Sequence, residues 1–190
     1  MKLLEDKIIQ CATVLEGGIV KVDMFLNHQL DTGLLYEVGA EFRRVFPSEK
    51  ITKILTAEAS GIAIAAMAGL HFHIPVVFAK KDNPKNICRN AYTANVFSYT
   101  KGTSKQIRVS KEYLSSSDHV LILDDFLANG QAVNGLLDIV SQSGASLEGI
   151  GIVIEKGFQK GGQLIRERGI HLESLAIIDG IEDGCIRFRT

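Results

Sequence analysis

Asp124 and Asp125 are adjacent acids that directly follow Val120-Leu121-Ile122-Leu123, a continuous apolar run. A run of that kind forms a strand buried on both faces of a parallel sheet. In open α/β sheets ligands bind at the carboxyl ends of the strands. Paired acids at such an end therefore point to a crevice that takes polyol hydroxyls, a hydrated metal, or both. Ala128, Asn129, Gly130, Gln131 and Ala132 come next, small or flexible residues leading into a helical stripe of Val133, Leu136, Leu137 and Val140. Free backbone N–H groups in a short loop at a helix N-terminus form an anion site, and phosphate is its usual occupant. An ordinary strand-turn-helix with solvated caps would need neither the paired acids nor the glycine-containing turn. No Gly-Lys-Ser/Thr follows, which excludes the P-loop of nucleotide triphosphatases.

A second strand-turn-helix runs through Thr56-Ala57-Glu58-Ala59-Ser60-Gly61-Ile62, where the amides of Ala59, Ser60 and Gly61 can hold another anion or simply begin a Ser-capped helix. Lys80 and Lys81 end the following strand, so their charge falls beside that turn; with Lys85 and Arg89 they can equally form a solvated loop. Glu155 and Lys156 end a further long strand, where the lysine serves either a ligand or its acidic neighbour. His71 and His73 have no third ligand nearby and read as a helix-end loop rather than a metal site. No nucleophile motif supports a Ser/His/Asp or Cys/His catalytic set.

These residues require an alternating scaffold. Leu4, Ile8, Cys11 and Leu15 predict a first helix over residues 2–16, stopped by Gly17-Gly18, and residues 19–26 read as an extended segment. Asp31 or Thr32 caps a helix whose inner stripe is Leu34, Val38, Phe42 and Val45, ended by Pro47. Strands are predicted at 53–58, 76–79, 107–109, 120–123, 147–154, 175–178 and 186–188, with helices at 60–70 and 161–168. Residues 81–105 carry little periodicity, with 96–99 the one strand-like piece, and read as a lid or a loop excursion. The pattern is that of an α/β fold with a parallel, doubly wound sheet.

The chain has 190 residues, 46% of them hydrophobic, and no Pro/Ser-rich linker, so one domain over 1–190 is expected. A net charge of -1 offers no field that would gather nucleic acid or an anionic membrane. Acids interrupt the apolar start, and no run approaches membrane-spanning length, which predicts a cytoplasmic protein. Three scattered cysteines suggest neither a disulfide framework nor a zinc site.

The strand, acid pair and five-residue loop resemble the diphosphoribosyl-binding motif of type I phosphoribosyltransferases. Two positions depart from it: Ala132 stands where a hydroxyl residue is common, and Ala128 where the hypoxanthine-guanine enzymes carry an acid. The Glu58 turn resembles that of adenine phosphoribosyltransferases, with Ser60 in place of the usual Arg. Ser98-Tyr99 resembles the Ser-Tyr pair on the lid of purine phosphoribosyltransferases. With the segment from Lys21 to Gln29 and Lys156, the chain resembles the bacterial xanthine phosphoribosyltransferases from end to end. That resemblance implies a central, mostly parallel sheet flanked by helices, an N-terminal hood (1–30) over the base and a mobile lid (82–105). It implies a purine-salvage glycosyltransferase that moves 5-phosphoribosyl from phosphoribosyl diphosphate to xanthine, with Mg2+ bound mainly through the diphosphate, and a homodimer. Asp124 and Asp125 would act on the sugar, and Val20, Asn27, Phe126 and Lys156 would meet the purine. Residues 128–132 together with Ala59, Ser60, Lys80 and Lys81 would hold phosphoribosyl diphosphate, with Ser98 and Tyr99 on the lid. The alternatives are an adenine or other purine phosphoribosyltransferase and a purine-responsive transcription regulator on the same fold.

Overall fold

Val120, Leu121, Ile122 and Leu123 are fully buried, as their unbroken apolar run predicts, and they form the middle of strand β7 (His119–Leu127). The structure, a computed structural model, describes residues 1–15, 19–81, 90–98, 103–182 and 184–189. Around β7 lie β3 (Lys53–Ala57), β4 (Val76–Lys81), β8 (Ser146–Lys156) and β9 (Leu172–Glu182), all parallel to their neighbours in this set. Three antiparallel strands complete the sheet, β5 (Ala91–Ser98) and β6 (Thr103–Ser110) at one edge and β10 (Cys185–Phe188) at the other. The strand order is β10-β9-β8-β7-β3-β4-β6-β5.

The helices cover both faces. On one face α1 (Lys2–Cys11), α2 (Thr32–Val45) and α3 (Ser60–Phe72) bury Leu4, Ile8, Leu35, Val38, Phe42 and Ile64 against Leu121 and Leu123. On the other, α4 (Gln131–Ser143) and α5 (Gly161–Glu167) bury Val133, Leu136, Ile139 and Ile165 against Ile122 and Ile152. Helix α2 starts where Asp31 accepts the Leu34 N–H at 3.1 Å, which satisfies a donor that the first turn cannot pair internally. Helix α3 carries the chain from β3 outward to β4, whereas α4 carries it from β7 outward to β8 on the opposite face. The order of strands therefore reverses between β3 and β7, and such a switch point opens a crevice at the carboxyl ends.

Three expectations need correction. The first helix stops at Cys11, and residues 13–15 pair with Ile19–Lys21 as a small hairpin, β1 (Thr13–Leu15) and β2. Cys11 and Leu15 kept helical spacing, but Leu15 is exposed, so the stripe had no surface to pack on beyond the third turn. Extended chain ends at Lys21, and Asp23–Asn27 forms a π-helical turn that buries Phe25 and Leu26. Within residues 81–105, strands β5 and β6 form an eight-pair ladder from Ala91↔Ser110 to Ser98↔Thr103. The alternation was present in Tyr92, Ala94 and Val96, but a central alanine weakens that signal, and the pairing partner that stabilises it lies further along the chain. Residues 82–89 and 99–102, and with them Lys85, Arg89 and Tyr99, lie outside the described residues. No helix among the described residues is long and apolar enough to cross a membrane.

Candidate active site

Strand β7 pairs with β3 only from Val120 to Ile122, but with β8 as far as Leu127. Beyond Ile122 its β3 side is open, and Asp124 and Asp125 stand at that opening. Both line a cavity of about 700 Å³ together with Ala57, Glu58, Ser60, Lys81, Val96, Phe97, Lys105 and Ile107 on one side. The other side is made by Ile19, Phe126, Leu127, residues 128–133, Lys156 and Gln159.

The acid pair is tightly organised. Asp124 is 5% exposed; its Oδ1 accepts the Asp125 N–H at 3.0 Å, and Asp125 Oδ1 accepts the Phe126 N–H at 2.9 Å. Burial, and then the neighbouring charge of Asp125, raise the Asp124 pKa well above the ordinary carboxyl range, with Lys81 partly opposing them. Two carboxyls held this way meet a donor-rich, cation-like partner more favourably than they meet each other.

The parts that can take an anion are mainly backbone. Gly130, with φ +80°, turns the chain into α4, where no side chain caps the first amides. Those amides are donors without an internal partner, facing a site open to anions. Helix α3 likewise begins without a side-chain cap, so a second uncapped N-terminus meets the same cavity at Ser60. Lys81 reaches it from β4, its own N–H donating to Glu58 Oε1 at 2.5 Å. One buttress was not legible in advance. The Gly161 N–H donates to Ala128 O at 3.1 Å, and a Cβ on Gly161 would fall 2.3 Å from that oxygen and 2.8 Å from Gly130 N. Only glycine allows α5 to press against the phosphate loop so closely.

At the far end, Lys156 closes β8, and burial lowers its pKa. Glu155 beside it does not pair with it. Glu155 is 1% exposed and takes two bonds from Arg166, at 2.8 and 2.7 Å, and one from Ser174 at 2.5 Å. Burial pushes its pKa up, but these bonds outweigh burial and hold it below the usual value.

The chain matches curated relatives over its whole length. It is 56% identical over 191 residues to the xanthine phosphoribosyltransferase of Lachnoclostridium phytofermentans, covering 100% of this chain and 98% of that protein. With the xanthine phosphoribosyltransferase of Ruminiclostridium cellulolyticum it shares 54% over 188 residues, 99% of each. The chain belongs to the xanthine phosphoribosyltransferase family. Solved structures of adenine phosphoribosyltransferases share the family's fold. The Giardia lamblia enzyme complexed with 9-deazaadenine aligns with TM-score 0.75 at 20% identity, over 92% of this chain and 96% of that one. The Rhodothermus marinus enzyme aligns with TM-score 0.72 at 17%, over 94% and 100%. No protein-family model matches the chain.

Of the residues singled out in the sequence, the fold brings Asp124, Asp125, Phe126, Lys156, Ser60, Lys81 and all of 128–132 to one cavity. Lys80, Val20, Ala59 and Asn27 do not line it. Adjacent strand residues face opposite ways, which sends Lys80 to a separate cleft shared with Lys53, Phe78, Arg108 and Tyr113. The same alternation on β2 buries Val20 in the core and presents Ile19 instead. Ala59 occupies the cap position of α3, with Glu58 and Ser60 facing the cavity. Asn27 is exposed at the end of the π-helical turn. Ser98 closes the β5 ladder opposite Thr103. His71 bonds to Tyr36 O at 3.0 Å, while His73 is the left-handed cap of α3. Glu58, Lys105 and Gln159 are polar lining residues that the sequence did not single out as ligands.

Proposed function

We propose that this protein transfers the 5-phosphoribosyl group from phosphoribosyl diphosphate to xanthine, giving xanthosine 5′-monophosphate and pyrophosphate. The observation that carries the reading is convergence: an acid pair, two uncapped helix N-termini and three lysines line one cavity, in a chain with xanthine phosphoribosyltransferase relatives along its whole length. The amides of 128–132 take the 5′-phosphate, and the α3 turn with Lys81 takes the diphosphate. Asp124 and Asp125 meet the ribose hydroxyls and stabilise positive charge that develops on the sugar as the diphosphate leaves. Phe126 and Ile19 give the purine apolar walls, and Lys156 donates to its C6 oxygen.

Among the described residues no three His, Cys, Asp or Glu side chains cluster as a metal cage. Glu58, Asp124 and Asp125 do line the cavity. That oxygen set suits Mg2+ carried in by phosphate oxygens and completed by one or two carboxylates. Bound there, the metal would neutralise the leaving pyrophosphate. Residues 1–30 as a hood, 82–105 as a lid and a homodimeric assembly complete the proposal. In support of a lid, Val96, Phe97 and Lys105 already line the cavity.

Mixing the protein with phosphoribosyl diphosphate, Mg2+ and xanthine should release pyrophosphate and the nucleotide in equal amounts. Asp125→Asn should cut turnover by about 100- to 1,000-fold with the fold intact, the scale of one lost transition-state electrostatic contact. No pyrophosphate with any purine, or near-normal turnover in that variant, contradicts the reading.

A further inference from the structure

Gln159 sits three residues past Lys156 on a turn that its own N–H closes by donating to Lys156 O at 2.9 Å. The turn fixes the spacing of the two side chains, and both line the cavity. The Gln159 side-chain oxygen is enclosed and has no hydrogen-bond partner among the described residues. An enclosed acceptor without a donor is unfavourable by an amount that a single ligand N–H would recover. The terminal torsion of a glutamine is soft and two-fold, and a half-turn exchanges its oxygen and nitrogen ends. The acceptor can therefore be presented to the cavity without moving the backbone.

The chemistry beside it selects a donor. An ammonium only donates, so Lys156 suits a carbonyl oxygen and leaves the atom next to that carbonyl unread. In a 6-oxopurine that atom is N1, which carries a hydrogen; in adenine N1 is an acceptor. We infer that Gln159 accepts the N1–H of the purine while Lys156 donates to the C6 oxygen, so that the pair reads the lactam edge and sets the preference for 6-oxopurines. The inference rests on the proposed phosphoribosyl transfer and names a specificity residue for it.

The test compares xanthine with 1-methylxanthine, which has no hydrogen at N1, in the wild type and in Gln159→Leu. Wild-type kcat/KM for xanthine should fall about 10- to 100-fold in the variant, the cost of an unpaired buried N–H. The KM for phosphoribosyl diphosphate should stay within about twofold, and the preference for xanthine over 1-methylxanthine should shrink by the same factor as the xanthine loss. An unchanged preference, an equal loss on both bases, or a loss carried by the phosphoribosyl diphosphate KM overturns the assignment. Gln159→Met, which keeps the side-chain length, repeats the comparison if the leucine variant melts early. Wild-type protein that forms no nucleotide from xanthine would fail the underlying function instead, so the two failures are told apart in the first arm.

Discussion

The two ends of the cavity are built on opposite electrostatic principles. At the proposed sugar end Asp124 and Asp125 stand side by side, and the pKa of the buried Asp124 is pushed up by burial and by the charge of Asp125. At the base end the buried acid Glu155 is fully answered by Arg166 and Ser174, and it serves the scaffold from which Lys156 projects. A buried carboxyl pushed up by its neighbour at a cavity wall marks a candidate ligand site. The difference separates the acids proposed to do the chemistry from the acid that holds its neighbours, even though both sets lie at the carboxyl ends of adjacent strands.

Gly161 presses α5 against the 128–130 loop, and its substitution should tell the two ends apart. Gly161→Ala places a methyl against Ala128 O and Gly130 N and displaces the phosphate loop. The KM for phosphoribosyl diphosphate should rise by about 10- to 100-fold, since small misplacements in a positioned site cost that much, with the KM for xanthine little changed. Steady-state kinetics on both substrates check this; equal changes in the two KM values would mean that the ends are not separable.

A smaller effect sharpens the contrast in stability. Because the folded Asp124 carboxyl has a raised pKa, the native state holds its proton more tightly than the unfolded chain does. Between the unfolded value and the raised folded value the native state binds more protons, so stability falls as pH rises through that window, and the penalty is complete above it. Asp124→Asn should therefore raise Tm at neutral pH by about 2–4 °C for each 1 kcal/mol relieved, while turnover falls. The gain should fade toward about pH 4, where the unfolded carboxyl also keeps its proton. Thermal melts across pH decide the point: a lower Tm for the variant at pH 7 would mean that Asp124 is structurally satisfied.

The strand, loop and helix proposed to hold phosphate were legible in the sequence because they are contiguous. A strand, two acids, a glycine turn and an amphipathic helix occupy residues 120–140, and the fold keeps them in that arrangement. The base end is assembled from residues 19, 126, 156 and 159, and nothing local marks them as neighbours. Alternation decided two positions: β2 presents Ile19 where Val20 was expected, and β4 presents Lys81 without Lys80. A period of two can be read from sequence, but its phase is set by which face finds a core. Gly161 was invisible for a related reason, since its role is a close approach between distant backbones. The α/β order was clear from the alternation of buried strands and helices, whereas β5 and β6 depend on their mutual pairing.

The central claim is that this cavity serves xanthine rather than adenine, and competition among bases tests it most directly. With phosphoribosyl diphosphate and Mg2+ fixed, equimolar xanthine, guanine, hypoxanthine and adenine should yield xanthosine 5′-monophosphate as the main nucleotide and essentially no adenosine 5′-monophosphate. The lysine ammonium at C6 has no acceptor for the adenine amino group, and a site built around one hydrogen bond rejects the analogue that leaves it unpaired. Adenosine 5′-monophosphate as the main product would contradict the account and favour the adenine-type reading of the same fold.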